Sequence, residues 1–181
     1  MSRTYLITGG AASGKSRWAI SYFGDCDNVS YISTDAQIDQ DALARMKVNA
    51  EEHKVNWVTK VLKTRPAEAI SEDKKFYIFD NVASYCNRII RDMAPDIADI
   101  PHSQQKEIAK RIVEDILKMI DVVNELDGNI ILITLETGFS VVPNDLTQNA
   151  FREILGAVNQ RLANICDEVY LCVSGLQMRM K

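Results

Sequence analysis

The sequence is poor in the residues that build metal centres and disulfide frameworks. It has 2 histidines and 4 cysteines. Cys26, Cys86, Cys166 and Cys172 stand apart with no CxxC pair, and His53 and His102 are the imidazoles, so neither a zinc site nor a set of bridges follows. Reduced thiols are expected, with Cys86 and Cys172, inside apolar runs, acting as small buried hydrophobes. An excess of positive charge is also missing. Lys and Arg total 21 against 25 Asp and Glu, a net charge of −4, and that balance supplies no field to hold nucleic acid by counterion release. Any phosphate must be captured locally. No apolar stretch approaches the roughly 20 residues that cross a bilayer, and the opening residues carry no signal-peptide core. The expectation is a cytoplasmic protein with no nucleic-acid partner and no membrane span.

What is present suits one domain over residues 1–181, since 46% hydrophobic residues beside 25% charged ones can bury a core. Short apolar runs alternate with amphipathic stretches, the pattern of strands joined by helical crossovers. Residues 5–8, 29–32, 76–80, 130–134 and 169–173 read as strands, rich in Ile, Leu, Val, Tyr or Phe as buried parallel strands are. Ile108, Ile112, Ile116 and Ile120, with Val113 and Leu117, form a stripe at helical spacing. Leu146, Ala150, Phe151, Ile154, Leu155, Val158 and Leu162 repeat that stripe in a later helix, for which Asn144 or Asp145 is the expected N-cap. Pro95 and Pro101 fall in a break at 93–102 that separates two helical segments rather than two domains. The closing run, 175–181, alternates apolar and charged side chains. It suits a half-exposed edge strand with an antiparallel course open to it.

Gly9-Gly10-Ala11-Ala12-Ser13-Gly14-Lys15-Ser16 matches G-x-x-x-x-G-K-[ST], and it follows an apolar strand and opens a helical stretch near Lys15, the context that motif requires. Glycines let successive N–H groups turn inward onto phosphate oxygens, and the helix N-terminus adds a positive partial charge. Lys15 would lie against the β- and γ-phosphates, and the Ser16 hydroxyl would hold Mg²⁺. A second metal carboxylate belongs at the end of a neighbouring strand. Asp80, closing Phe-Tyr-Ile-Phe-Asp, is the candidate; the competing reading is a cap for the helix that begins near Asn81. Glu136 closes another apolar run and is similarly placed for metal, substrate or water. The fold expectation is α/β: a P-loop NTPase-like, mostly parallel sheet flanked by helices.

Several further stretches carry a more specific likeness. Tyr31-Ile-Ser-Thr34 with Asp39, Asp41 and Arg45, then Trp57 and Thr59, Asp80 and Asn87, Glu136, Gly138, Val142-Pro143, Val158-Asn-Gln-Arg-Leu-Ala163 and Val173-Ser-Gly175 together resemble the adenosylcobinamide kinase/adenosylcobinamide-phosphate guanylyltransferase family from end to end. The resemblance implies a bifunctional enzyme of cobalamin assembly. Such an enzyme phosphorylates the aminopropanol hydroxyl of adenosylcobinamide with ATP or GTP, then transfers GMP from GTP to that phosphate through a GMP–histidine intermediate. It also implies nucleotide contacts from Ser33, Thr34, Asp35, Ala50 and Val61, a corrinoid substrate, and a homo-oligomer, a trimer.

One departure bears directly on the chemistry. Where the family places an arginine, three residues and the guanylylated histidine, this chain has Arg45, Met46-Lys47-Val48 and then Asn49. An amide nitrogen has its lone pair delocalised into the carbonyl and cannot replace an imidazole nucleophile. His53, four residues on, would share a helix face with Asn49 and is a displaced candidate, against the plainer reading of a solvated histidine in a charged run. Ala12 stands where the family commonly has arginine, and Val61 where it has glutamate. Three readings follow. They are a kinase in which guanylyl transfer is in doubt, a nucleotide-binding module with degenerate catalysis, and a P-loop kinase for another small molecule. Asp35 or Glu136 would activate the acceptor hydroxyl.

Overall fold

The computed structural model describes residues 2–95, 99–139 and 141–181. Of the break predicted at 93–102, residues 96–98 therefore lie outside the described set. Among the described residues seven strands form one sheet: β1 (Arg3–Gly9), β2 (Val29–Ser33), β3 (Trp57–Val61), β4 (Phe76–Asp80), β5 (Asn129–Ile133), β6 (Glu168–Val173) and β7 (Leu176–Arg179). The α-helices among the described residues pack on it: α1 (Lys15–Tyr22), α2 (Gln40–His53), α3 (Val82–Met93), α4 (His102–Glu125) and α5 (Leu146–Ile165). The strand order is β3-β2-β4-β5-β1-β6-β7. Every pairing is parallel except β6 with β7. The α/β architecture expected from the alternation of runs is the one observed. No helix among the described residues is long and apolar enough to cross a membrane.

Strand side chains alternate between the two faces, and each face has its own helices. Leu6, Ile32, Tyr77, Phe79, Ile130 and Leu132 pack with α3, α4 and α5. Tyr5, Ile7, Val29, Tyr31, Ile78, Ile131 and Ile133 pack with α1 and α2. The α4 stripe is buried as predicted, Ile108, Ile112, Ile116 and Ile120 all lying inside. Connections from the adjacent strands β1 and β5 leave toward opposite faces, α1 to one and α5 to the other. Such a switch point opens a crevice at the carboxyl ends of the strands. Here the P-loop and Glu136 flank it.

Two elements differ from the sequence expectation. β3 escapes a reading based on apolar runs because Trp-Val-Thr-Lys-Val is an edge strand with no fully buried residue. β7 does run antiparallel, but all four of its residues are exposed rather than half-exposed. The turn that creates it holds Ser174 at φ 50° and Gly175 at φ 82°, positive at both centres as a two-residue type I′ hairpin requires. Asp145, not Asn144, caps α5, accepting the backbone N–H of Gln148 at 2.8 Å.

Asn159 on α5 clamps the end of β5. Its Oδ1 accepts the hydroxyl of fully buried Thr134 at 2.7 Å and its Nδ2 donates to the Leu135 carbonyl at 2.8 Å. Truncation would leave both groups without their partner. Asn159→Ala is therefore expected to cost about 2 kcal/mol in urea denaturation; a change within about 0.5 kcal/mol, the usual range for a surface substitution, would show the clamp to be dispensable.

Candidate active site

The P-loop runs from the end of β1 into α1. Gly9 has φ 150°, and a Cβ there would lie 2.2 Å from the Cys172 carbonyl oxygen. Gly14, the α1 N-cap at φ 100°, would bring one within 3.3 Å of Gly175 Cα. Side chains are thus excluded by both conformation and space. Gly10, Ala11 and Ala12 form the exposed crest, with Ala12 also left-handed at φ 54°. Ser13 is buried below, and its carbonyl accepts Gly175 N–H at 2.9 Å and Cys172 Sγ–H at 2.9 Å. The β6–β7 turn therefore braces the loop, which gives Val173-Ser-Gly175 a structural reason to accompany it. No side chain caps the first turn of α1. Its N–H donors point out of the helix end, the arrangement that receives anions.

Lys15 is 7% exposed. Its ammonium donates to the carbonyls of Gly9 at 3.0 Å and Gly10 at 2.6 Å, so it lies curled inside the loop that would hold phosphate. Burial lowers its pKa, and the charge of Asp80 opposes that shift. Ser16 Oγ donates to Asp80 Oδ2 at 2.8 Å. The Tyr31 hydroxyl donates to the same oxygen. Burial pushes the Asp80 carboxyl above the usual carboxylate range, while the hydrogen bonds from Tyr31 and Ser16 hold it down and Asp35 pushes it further up. The helix-cap reading of Asp80 fails. Asn81 is the α3 N-cap and accepts Ser84 N–H at 2.7 Å. Asp80 is left free to face the loop.

Strand register assembles the rest of this edge. Ser33 pairs with Val61 on one side and Asp80 on the other, and Asp80 pairs with Ile133. Thr34 locks the neighbouring turn, its Oγ1 donating to the Asn81 carbonyl and accepting Asn81 N–H, both at 2.8 Å. Asp35 is exposed and shares a cavity of about 340 Å³ with Thr34, Leu62, Ser84, Asn87, Arg88 and Arg91. Glu136 donates its backbone N–H to the Gly9 carbonyl at 3.1 Å, and its Oε1 accepts Gly138 N–H at 2.7 Å. It lines a separate cavity of about 520 Å³ with Thr8, Arg152 and Asn159.

The start of helix α2 reaches the loop: Asp39, Asp41 and Arg45 line a cavity of about 350 Å³ with residues 12–17. The later α2 residues fall elsewhere. Asn49 Nδ2 donates to the Gly24 carbonyl at 2.9 Å, just past the C-terminal end of α1. The P-loop is at the other end of that helix, about 12 Å away at 1.5 Å per residue. Ala50 receives Val55 N–H on its carbonyl at 3.2 Å as α2 ends. His53 is the last residue of α2 and exposed. The chain then enters β3 beside the first residue of β2, the end of the sheet opposite the loop. The shared helix face of Asn49 and His53 is real, but it is not at the phosphate site.

The family model for cobinamide kinase / cobinamide phosphate guanyltransferase matches residues 5–180. The chain belongs to this family. It is 30% identical to the bifunctional adenosylcobalamin biosynthesis protein CobU of Escherichia coli strain K12, over 97% of this chain and 98% of that one. The protein of that name from Salmonella typhimurium is 29% identical, over 97% of this chain and 98% of that one. The CobP protein of Pseudomonas aeruginosa is 28% identical, over 97% and 96%. Among solved structures, a KaiC-like protein from Pyrococcus horikoshii OT3 aligns with a TM-score of 0.52 at 16% identity, covering 93% of this chain and 70% of its own. That likeness concerns the fold alone.

Tyr31 enters the sequence reading only as part of the stretch Tyr31-Ile-Ser-Thr34, with no role of its own, since it looks like one more apolar strand residue until the register of β2 and β4 is known. The raised Asp80 carboxyl makes a prediction for the metal-free protein. A folded pKa above the unfolded one means the ionised form opposes folding, a cost absent below the unfolded value and growing as pH rises toward the folded one. Asp80→Asn should therefore melt at a higher temperature than wild type at neutral pH and show no gain near pH 3. A lower melting temperature at neutral pH would contradict the assignment.

Proposed function

We propose that this protein is a nucleoside-triphosphate-dependent kinase that phosphorylates the aminopropanol hydroxyl of adenosylcobinamide. The observation that carries this is the 2.8 Å bond between Ser16 Oγ and Asp80 Oδ2. It joins the last P-loop residue to a strand-end carboxylate two strands away in the sheet. A hydroxyl and a carboxylate are hard oxygen donors, a set that fits Mg²⁺, whose remaining positions are ordinarily filled by phosphate oxygens and water. When bound there, Mg²⁺ would neutralise charge on the triphosphate. ATP and GTP are both suited to this loop, which contacts phosphates rather than the base.

The chain's own groups supply the rest. The α1 N-terminus and the loop amides bind the β- and γ-phosphates. Lys15 leaves its carbonyl partners for phosphate oxygens of greater charge. The acceptor oxygen attacks the γ-phosphorus, the bond from that phosphorus to the β–γ bridging oxygen breaks, and the nucleoside diphosphate leaves. Of the two candidate bases, Glu136 is tied through its backbone to Gly9, the first residue of the loop. We assign it to take the acceptor hydroxyl's proton. Removing such a base costs about 10²–10⁴ in rate.

Guanylyl transfer through α2 is not part of this reading. The Asn49 amide is chemically unable to form the adduct and is engaged with Gly24, and His53 lies at the opposite end of the sheet.

Incubation with adenosylcobinamide, Mg²⁺ and either triphosphate should yield a phosphorylated corrinoid. Glu136→Gln should lower the rate by at least 10²-fold at unchanged nucleotide affinity, and GTP labelled at the α-phosphate should leave no acid-labile label on the protein. Absence of turnover with both nucleotides would overturn the kinase assignment; retained label would overturn the exclusion of guanylyl transfer.

A further inference from the structure

We infer that Tyr31 is a positioning residue for Asp80: its phenol holds the carboxylate in the setting from which it, with Ser16, meets Mg²⁺. This rests on the kinase reading and deepens it. Tyr31 is 2% exposed, in the middle of β2. It pairs in register with Ile78 while Ser33 pairs with Asp80, so Tyr31 and Asp80 are diagonal neighbours on one face of a strand pair. Aromatic side chains reach across that diagonal. The hydroxyl of Tyr31 and the hydroxyl of Ser16 both donate to Asp80 Oδ2.

The two donors differ in their other duties. Ser16 is itself a candidate metal ligand and sits on the helix that receives phosphate. Tyr31 has no such role. Its ring is packed among the apolar residues of the α1–α2 face with Ala42, Met46 and Ile78, so it cannot swing away to follow the nucleotide. A phenylalanine would fill nearly the same volume there. The hydroxyl is therefore what distinguishes the residue, and it meets the Asp80 carboxylate, to which it donates, and the Ser16 hydroxyl beside it. With one lone pair of Oδ2 committed to Tyr31, rotation of the carboxylate about its last bond is restrained, and the charged form keeps a donor that does not depend on bound ligands. Groups that orient a metal ligand in this way typically change metal affinity by about 10–100-fold when removed.

A hydroxyl that merely satisfies itself on a convenient acceptor would affect stability and nothing else. The readout must therefore be metal-specific. Calorimetric affinity for a non-hydrolysable triphosphate is measured with Mg²⁺ and again with EDTA, and the ratio of the two is compared between proteins. Tyr31→Phe should reduce that ratio by about 10-fold while the affinity in EDTA stays within about 2-fold. In an Asp80→Asn background, the same substitution should have no further effect, because the two side chains act as one unit. If Tyr31→Phe alone does not fold, Tyr31→Phe with Asp80→Asn should restore folding by removing the charge left without its donor. An unchanged ratio, an equal loss with and without Mg²⁺, or an effect that persists in the Asp80→Asn background would each overturn the inference, as would failure of the double variant to rescue folding. A wild-type protein that binds no nucleotide would instead overturn the kinase reading.

Discussion

A carboxylate held in the crowded edge of a parallel sheet pays for lost hydration, and at Asp80 two hydroxyls offset that loss through one oxygen. The rest of the site follows from this arrangement. Ser16 must sit in the first turn of α1 at the height of Asp80, so β1 must end in a loop that turns tightly at Gly9 and Gly14. Tyr31 must stand two residues before Ser33 on β2, so β2 and β4 must pair in the observed register. A slip of one residue would send the Tyr31 side chain to the opposite face of the sheet.

The loop in turn depends on elements far from it in sequence. The Ser13 carbonyl is held by Cys172 and Gly175, from the last hairpin. The Gly9 carbonyl is held by Glu136, from the start of the β5–α5 connection. Both clamps approach from strands next to β1, so the phosphate loop is gripped on both sides by its immediate sheet neighbours. Charge plays a local part only. The chain is acidic overall, and the cations at the loop are Lys15, whose burial lowers its pKa with Asp80 partly opposing, and Arg17 and Arg45 on the same cavity.

How much of this was legible in the sequence depended on whether the signal was local. Gly9–Ser16 announced itself because spacing alone encodes the loop, and the burial of Ile108, Ile112, Ile116 and Ile120 followed from period alone. Asp80 was ambiguous, because an acidic residue ahead of a helix serves equally as metal ligand or cap; Asn81, one residue later, takes the cap and resolves it. Trp57–Val61 was hidden by being an edge strand with half-buried faces. The hydroxyl of Tyr31 and the bracing of Ser13 by Gly175 are pairings across strand register and could not be read from adjacent residues. The resemblance to the family did point to those stretches, without the contacts that explain them. Asn49 shows the reverse case: its chemical deficiency was plain in the sequence, whereas its attachment to Gly24, at the far end of α1 from the phosphate loop, was not.

In the proposed kinase, nucleotide chemistry is confined to the strand ends where Lys15, Ser16, Asp80 and Tyr31 converge and does not extend to α2 at Asn49. The most direct test is a crystal structure with Mg²⁺ and a non-hydrolysable triphosphate. The expected result is β- and γ-phosphates in the Gly9–Ser16 loop with Lys15 turned onto them, the metal at Ser16 with Asp80 beside it, and Asn49 still bonded to Gly24. A triphosphate seated away from the loop, or one whose α-phosphate lies against Asn49 or His53, would contradict it.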